Sequence, residues 1–123
     1  MTSQTDFLTT GKNAVVAINN LNQTLAARNT LTTYLAGQYT SSPVTSATLI
    51  ASGSGYLVNV AILVAGAAGN IYDAASTGAA GSSNLIYPTV ATVGFTAVGM
   101  RFTDGLVVTP GAGQTAVVTY SLD

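Results

Sequence analysis

The stretch Tyr56-Leu-Val-Asn-Val-Ala-Ile-Leu-Val64 decides the fold class, because its side chains alternate between two faces. A period of two over nine residues, with many β-branched side chains, is typical of a β-strand. We therefore predict a strand here, with the Tyr56 ring in the core. One face of this strand carries Tyr56, Val58, Val60, Ile62 and Val64, and the other carries Leu57, Asn59, Ala61 and Leu63.

Shorter runs of the same kind lie on either side of this stretch, separated by turns rich in glycine, serine and proline. They are Ser46–Ala51, Asn70–Ala74, Leu85–Tyr87, Val93–Met100, Leu106–Thr109 and Thr115–Ser121. Six to seven short strands with turns about every 8–12 residues predict a mainly β chain, an antiparallel β-sandwich of jelly-roll-like form. Asp104-Gly105 is the strongest hairpin signal. A parallel α/β fold is excluded because no helical segments separate the strands.

The first 42 residues follow a different pattern. No Gly or Pro occurs between Lys12 and Ala36, and apolar residues fall mostly three or four apart, which predicts a helix. Thr9 or Thr10 would cap its start, and Gly37 would follow its end. These apolar positions are Ala14, Ile18, Leu21, Leu25, Leu31 and Leu35.

We therefore predict two domains, an N-terminal helical arm or stalk over residues 1–42 and a β-sandwich over residues 43–123. The helix is rich in Asn and Thr, which are mediocre helix formers, so it needs a partner. That partner is either its own β domain or further copies of the chain. On the second alternative, Ile18, Leu21 and Leu25 are the interface candidates.

Charge is almost absent from the chain. Only seven of 123 residues are charged, and the three positive ones are Lys12, Arg28 and Arg101. So few positive side chains exclude the basic surface of a nucleic-acid-binding protein and a polybasic membrane anchor. Because charge normally keeps monomers apart in solution, the neutral surface indicates a protein that lies against other protein, and we expect a homo-oligomer.

The N-terminal sequence and the apolar runs argue against membrane targeting. The first residues, Met-Thr-Ser-Gln-Thr-Asp, lack the basic and apolar regions of a signal peptide. The longest apolar run, Leu57–Ala68, is shorter than the roughly 20 residues that a transmembrane helix needs. We expect a protein that is soluble, or soluble until it is assembled.

The residue inventory also argues against catalysis. Histidine, cysteine and glutamate are absent, so acid–base groups, nucleophile activation and the usual metal ligands are missing. The remaining candidates are Asp6, Asp73 and Asp104, and we interpret Asp73 as a cap on backbone amides and Asp104 as a turn residue. We predict no enzymatic activity, no cofactor and no metal.

Two features could still serve binding. Gly66-Ala-Ala-Gly69 and Gly78-Ala-Ala-Gly81 lack the following Lys and the helix of a phosphate-binding loop, and we interpret them as flexible or tightly turned loops. Tyr72 and Tyr87 flank the long loop 74–84 and are predicted to be exposed. Packing or subunit contact is favoured over ligand stacking for these two rings.

Four segments together resemble a known family. They are Thr48-Leu-Ile-Ala-Ser-Gly-Ser-Gly-Tyr-Leu-Val-Asn-Val60, Gly69-Asn-Ile-Tyr-Asp-Ala-Ala75, Val93-Gly-Phe-Thr96 and Phe102-Thr-Asp-Gly-Leu-Val-Val-Thr-Pro-Gly-Ala-Gly-Gln-Thr-Ala-Val-Val-Thr-Tyr120. Over residues 45–121 the chain resembles a small β-sandwich module of tailed bacteriophages and prophages. Its motifs are structural turns rather than catalytic signatures.

The resemblance implies a structural virion protein that is made in the host cytoplasm. The first expectation is a capsid decoration (cement) protein, a trimer that contacts the major capsid protein or other virion proteins. The alternative is a head fibre, tail or adaptor component in which the helix forms a trimeric stalk and the loops are available to contact a host glycan. A third class is a free-standing carbohydrate-binding module, for which Tyr72 and Tyr87 would be the stacking residues.

Overall fold

A computed structural model describes residues 4–123 of the chain, with side chains from Lys12 onward. It contains two compact units, one that ends at Thr32 and one that comprises Thr33–Asp123. The division between the two units falls after Thr32, earlier in the chain than the boundary predicted between residues 42 and 43. The second unit therefore includes the end of the helix as well as all of the strands.

The N-terminal segment is one long helix, α1, over Gln4–Ala36. It was predicted to begin only near Lys12, with a cap at Thr9 or Thr10, and that start is wrong. Gly11 does not end the helix, because a single interior glycine costs only about 1 kcal/mol relative to alanine. The predicted end is confirmed: Gly37 has a φ of 105°, in the left-handed region that glycine adopts without strain.

The remaining residues form two antiparallel sheets, as the sequence predicts. The first sheet has the strand order β1-β8-β3-β6, and the second has the order β2-β7-β4-β5. All seven predicted strands are present. The two-residue strand β1 was missed, because so short a segment has no periodicity. The strands are β1 (Tyr39–Thr40), β2 (Thr48–Ser52), β3 (Gly55–Val64), β4 (Asn70–Asp73), β5 (Leu85–Pro88), β6 (Gly94–Phe102), β7 (Gly105–Thr109) and β8 (Thr115–Leu122).

The hydrophobic core consists of side chains from both sheets. Leu57, Phe102 and Val118 of the first sheet and Ile71 and Leu106 of the second are completely buried. Removing apolar surface of this kind from water is the main favourable term in folding. The side chains that hold the two sheets together are therefore few and mostly of medium size.

The inward-facing residues of β3 differ from the prediction. Leu57, Val60 and Ile62 are buried, whereas Tyr56 and Val58 are only half-buried. A β-bulge shifts the register of β3 against both of its neighbours between Leu57 and Asn59. An irregularity of one residue moves the following side chains to the other face, so the alternation is broken within the strand.

Asp104-Gly105 does not form the predicted hairpin. Asp104 lies in the connection from β6 to β7, and Gly105 is the first residue of β7; these two strands belong to different sheets. A type I′ hairpin needs positive φ at both central residues, and Gly105 is not among the glycines with positive φ. Glycine is required at this position for another reason. A Cβ atom on Gly105 would collide with the carbonyl oxygens of Ala74 and Ala51.

The end of α1 is attached to β8 by hydrogen bonds. Ser121 Oγ donates to the Tyr34 carbonyl at 2.5 Å and accepts from the Gln38 backbone N–H at 3.0 Å. The Tyr34 hydroxyl donates to Asp123 Oδ1 at 2.7 Å, and Arg101 Nη2 donates to Asp123 Oδ2 at 2.7 Å. This arrangement fixes the last turn of the helix against the β-sandwich of its own unit.

A buried polar network joins three loops at one end of β4. The Thr89 hydroxyl accepts a hydrogen bond from Gly69 N at 2.7 Å and donates to Gln114 Oε1 at 2.8 Å. Gln114 Nε2 donates to the Val90 carbonyl at 2.6 Å. Thr89 and Gln114 are buried, and in the described part of the chain each buried side-chain polar atom has a partner. The network fixes the loops before β4, after β5 and before β8.

We expect Thr89→Val to destabilise the protein by about 1–3 kcal/mol, because it leaves the buried Gly69 N without its partner and removes the shorter of the two hydrogen bonds that Gln114 Oε1 accepts, the other coming from Gly111 N. The change preserves side-chain volume, so no cavity term is added. Urea unfolding followed by far-UV circular dichroism measures the loss. Thr92→Val, at an exposed position, is the matched control and should leave stability within about 0.5 kcal/mol of the unchanged protein. An equal loss of stability in Thr89→Val and Thr92→Val would contradict the stabilising role assigned to the Thr89 hydrogen bonds.

Candidate functional site

Groups able to perform chemistry do not gather into a site in the described part of the chain. The residues searched, which exclude those left undescribed, contain no group of three or more His, Cys, Asp or Glu side chains that could hold a metal ion. The candidate Asp6 lies outside the residues whose side chains are described. The side chains of Asp73 and Asp104 are described. The Asp73 carboxylate accepts a hydrogen bond from the backbone N–H of Asp104.

Asp73 caps the turn that connects the two sheets. Its Oδ1 accepts from the backbone N–H groups of Asp104 at 2.8 Å and Gly105 at 3.3 Å. Its Oδ2 accepts from the backbone N–H and the hydroxyl of Thr103 at 2.9 and 3.0 Å. Burial raises the pKa of the Asp73 carboxyl, but these hydrogen bonds outweigh it and hold the pKa below its ordinary value. The interpretation of Asp73 as a cap on backbone amides is confirmed.

The carboxylate of Asp123 is also occupied. Hydrogen bonds from Tyr34 and Ser54 lower the pKa of the Asp123 carboxyl, with a smaller contribution from Arg101. The hydrogen bond to Asp123 in turn raises the pKa of the Tyr34 hydroxyl. This exposed group attaches the helix end to the last strand, so its observed contacts are structural.

The loop that contains Gly66 and Gly69 is tightly turned. Gly66 N donates to the Ala91 carbonyl at 3.2 Å, and Ala67 N donates to the Ala112 carbonyl at 3.0 Å. A Cβ atom on Gly66 would come within 2.6 Å of backbone atoms of residues 112 and 114. These amides bind neighbouring carbonyls, whereas a phosphate-binding loop directs its amides at the ligand.

The two tyrosines proposed as contact residues lie on neighbouring strands. Tyr72 is on β4 and Tyr87 is on β5, and Tyr87 pairs with Ile71 in the register of the two strands. Both side chains are half-buried, and Tyr87 packs against the core. Neither ring is as exposed as the sequence analysis predicts, because both strands belong to the second sheet. Their role in an interface stays a prediction.

The apolar side chains of α1 are exposed. Ile18 and Leu21 are 58% exposed and Leu25 is 47% exposed. Spacings of three and four residues place these three candidates on one face of the helix, within an arc of about 60°. Between Asn13 and Ala27 the polar residues around these three side chains are all uncharged. The helix therefore presents a continuous apolar stripe.

A second exposed apolar surface lies on β6 and was not recognised in the sequence. Phe95 is 68% exposed and stands opposite Ala61 of β3, which in turn stands opposite Val117 of β8. Val93, just before the strand, is also exposed. We call Val93, Phe95, Ala61 and Val117 the Phe95 patch. An aromatic ring in a strand is usually assigned to the core, so the sequence carries no signal that would place Phe95 outside.

Comparison of the chain with protein-family models, with curated proteins and with solved structures gave no significant match. Among the described residues, no helix combines the length and the apolar character that crossing a bilayer requires.

Asp73→Asn should make stability less dependent on pH. Since the pKa of the Asp73 carboxyl in the folded protein lies below its ordinary value of 3.8, the carboxylate stabilises the fold above that pH, and the contribution is lost as pH falls through the folded pKa. We expect the substitution to cost about 1–2 kcal/mol at pH 7 by weakening charge-assisted hydrogen bonds. At pH 2 the difference should shrink.

Urea unfolding at pH values between 7 and 2 measures this difference. Asp104→Asn, in the same turn, is the matched control and should produce a smaller change at pH 7. A loss that is as large at pH 2 as at pH 7 would contradict a role of the Asp73 charge.

Proposed function

We propose that this protein is a structural component of a tailed-bacteriophage virion, in which three copies of α1 form the stalk of a fibre, tail or adaptor part. The observation that carries the proposal is the apolar stripe of Ile18, Leu21 and Leu25 on a continuous helix, Gln4–Ala36. The resemblance over residues 45–121 and the low charge support placement in a virion. No catalytic step is involved.

The composition of the helix supports self-association. Most helical stability in proteins comes from packing an apolar face rather than from propensity, and Asn and Thr are mediocre helix formers. A helix with an exposed apolar stripe therefore gains stability when copies bury that stripe together. Heptad positions occupied by Ala14, Ile18, Leu21 and Leu25 supply the contact layers. The next two such positions are Arg28 and Thr32, so the stalk ends near Leu25.

The strand order supports a virion module as well. The sheets β1-β8-β3-β6 and β2-β7-β4-β5 contain eight strands, and successive strands mostly belong to opposite sheets. We infer a jelly roll from this order, an architecture that recurs in viral capsid and lectin domains. This analogy concerns the fold, and function is carried by surfaces rather than by fold.

A capsid decoration protein is the second candidate, and a specific surface favours it. Leu63, Val64, Val90 and Val93 are exposed near the loops that Thr89 and Gln114 fix. Exposed apolar residues on a rigid base suit contact with a flat lattice of the major capsid protein or other virion proteins. In that role the protein would bind at many equivalent positions on the capsid, and weak contacts would add through multivalency.

The stalk proposal predicts that charge in the apolar stripe separates the copies. Full-length protein with Leu21→Glu and Leu25→Glu should fall from the mass of three chains to that of one, 12.3 kDa, in light scattering. Helical circular dichroism should also decrease, because the separated helix loses its packing.

The matched control introduces the same two charges on the opposite face, with Gln23→Glu and Ala27→Glu, and it should keep the mass of three chains. A monomer in the unchanged protein would contradict the stalk and support assembly on a capsid lattice. If both double variants dissociate the trimer, the assignment of the apolar stripe as the contact between copies is contradicted.

A further inference from the structure

Strand β6 forms an unprotected edge of the first sheet. It pairs with β3 on one side, and among residues 4–123 no strand pairs with its other side. Natural sheets commonly protect such an edge with Lys, with Pro, with a very short strand or with a β-bulge, and the bulge of β6 lies only after Ala97. β6 has nine residues and contains neither Lys nor Pro, and its charged residue, Arg101, is bound to Asp123.

The regular part of this edge is short and well defined. A bulge shifts the register between Ala97 and Met100, and Gly99 within it has a φ of 67°. Bulges end regular pairing, so the segment able to accept another strand runs from Gly94 to the start of the bulge at Val98. Its midpoint is Thr96, and its side chains are uncharged.

We propose that β6 pairs antiparallel with β6 of a second copy of this chain, across a two-fold axis at Thr96. Antiparallel pairing is the arrangement in which one strand can meet its own copy through the same surface. The two first sheets would then join into one sheet of eight strands. This proposal does not depend on the role of α1.

Side-chain size favours this register. With Thr96 on the axis, Phe95 of each copy stands opposite Ala97 of the other, so a large exposed ring lies over a small side chain. The two Phe95 rings are diagonal neighbours, at a separation that aromatic side chains can bridge. The Thr96 side chains form a Thr–Thr pair, which is one of the favourable cross-strand pairs. The sequence around Thr96 is thus complementary to itself.

The small size of the contact limits its strength. Stable interfaces bury roughly 1,600 Å² in total, whereas five paired residues with one aromatic anchor per copy bury less. The pairing is therefore weak and requires a high local concentration of chains. Assembly of many copies on a surface or through another contact supplies that concentration.

Cysteine cross-linking of the full chain tests the register, and the natural sequence contains no cysteine that could interfere. Directly opposed residues have Cβ atoms about 4.5–5.5 Å apart and diagonal ones about 7–8 Å. A disulfide needs the two Cβ atoms about 3.5–4.5 Å apart, so directly opposed residues come within reach after a small shift and diagonal ones do not. Irreversible oxidation by copper–phenanthroline in air accumulates even a weak pair, so Thr96→Cys should give at least fivefold more covalent dimer on a non-reducing gel than Ala97→Cys.

Two controls make the test decisive. Thr48→Cys, exposed on β2 of the other sheet, measures random collision. Phe95→Lys combined with Thr96→Cys should reduce the cross-linked fraction at least fivefold, and because Phe95 is exposed the fold is kept, as circular dichroism checks. The proposal is overturned if Thr96→Cys does not exceed Thr48→Cys, if Ala97→Cys equals Thr96→Cys, or if Phe95→Lys has no effect.

Discussion

The crossing of the chain between two sheets is the constraint on which the rest of the structure depends. Six of the seven connections between successive described strands pass from one sheet to the other. At these crossings some backbone amides, such as those of Gly69 and Gly105, are buried and need partners other than water. Asp73 accepts hydrogen bonds from backbone amides at one end of β4. Thr89 and Gln114 bind backbone groups at the other end.

Much of the β fold could be predicted because its signals are local. Each of the seven longer strands is bounded by turn residues, and the end of α1 is marked by Gly37. The bulge in β3 and the sheet change at Asp104 could not be predicted, because both arise from pairing between distant strands. Gly105 illustrates the difficulty: the dipeptide favours a hairpin, but glycine is needed there to avoid Ala74.

The candidate surfaces were predictable to different degrees. The spacing of Ile18, Leu21 and Leu25 shows a helical face without reference to any other element, and the structure leaves that face exposed. The Asp73 cap followed from residue type and from position at a strand end. Phe95 was not predictable, because alternation separates two faces without indicating which one meets the core. In β6 the inward positions near it are Thr96 and Val98, which are half-buried.

The scarcity of charge has a consequence for how this protein responds to its surroundings. Contacts between apolar, uncharged surfaces do not depend on ion pairs, so moderate ionic strength screens little of their free energy. Apolar association weakens on cooling and strengthens with sulfate or phosphate, which are excluded from protein surfaces. If copies assemble through α1 or the Phe95 patch as proposed, that assembly tolerates moderate salt and is most vulnerable to cold.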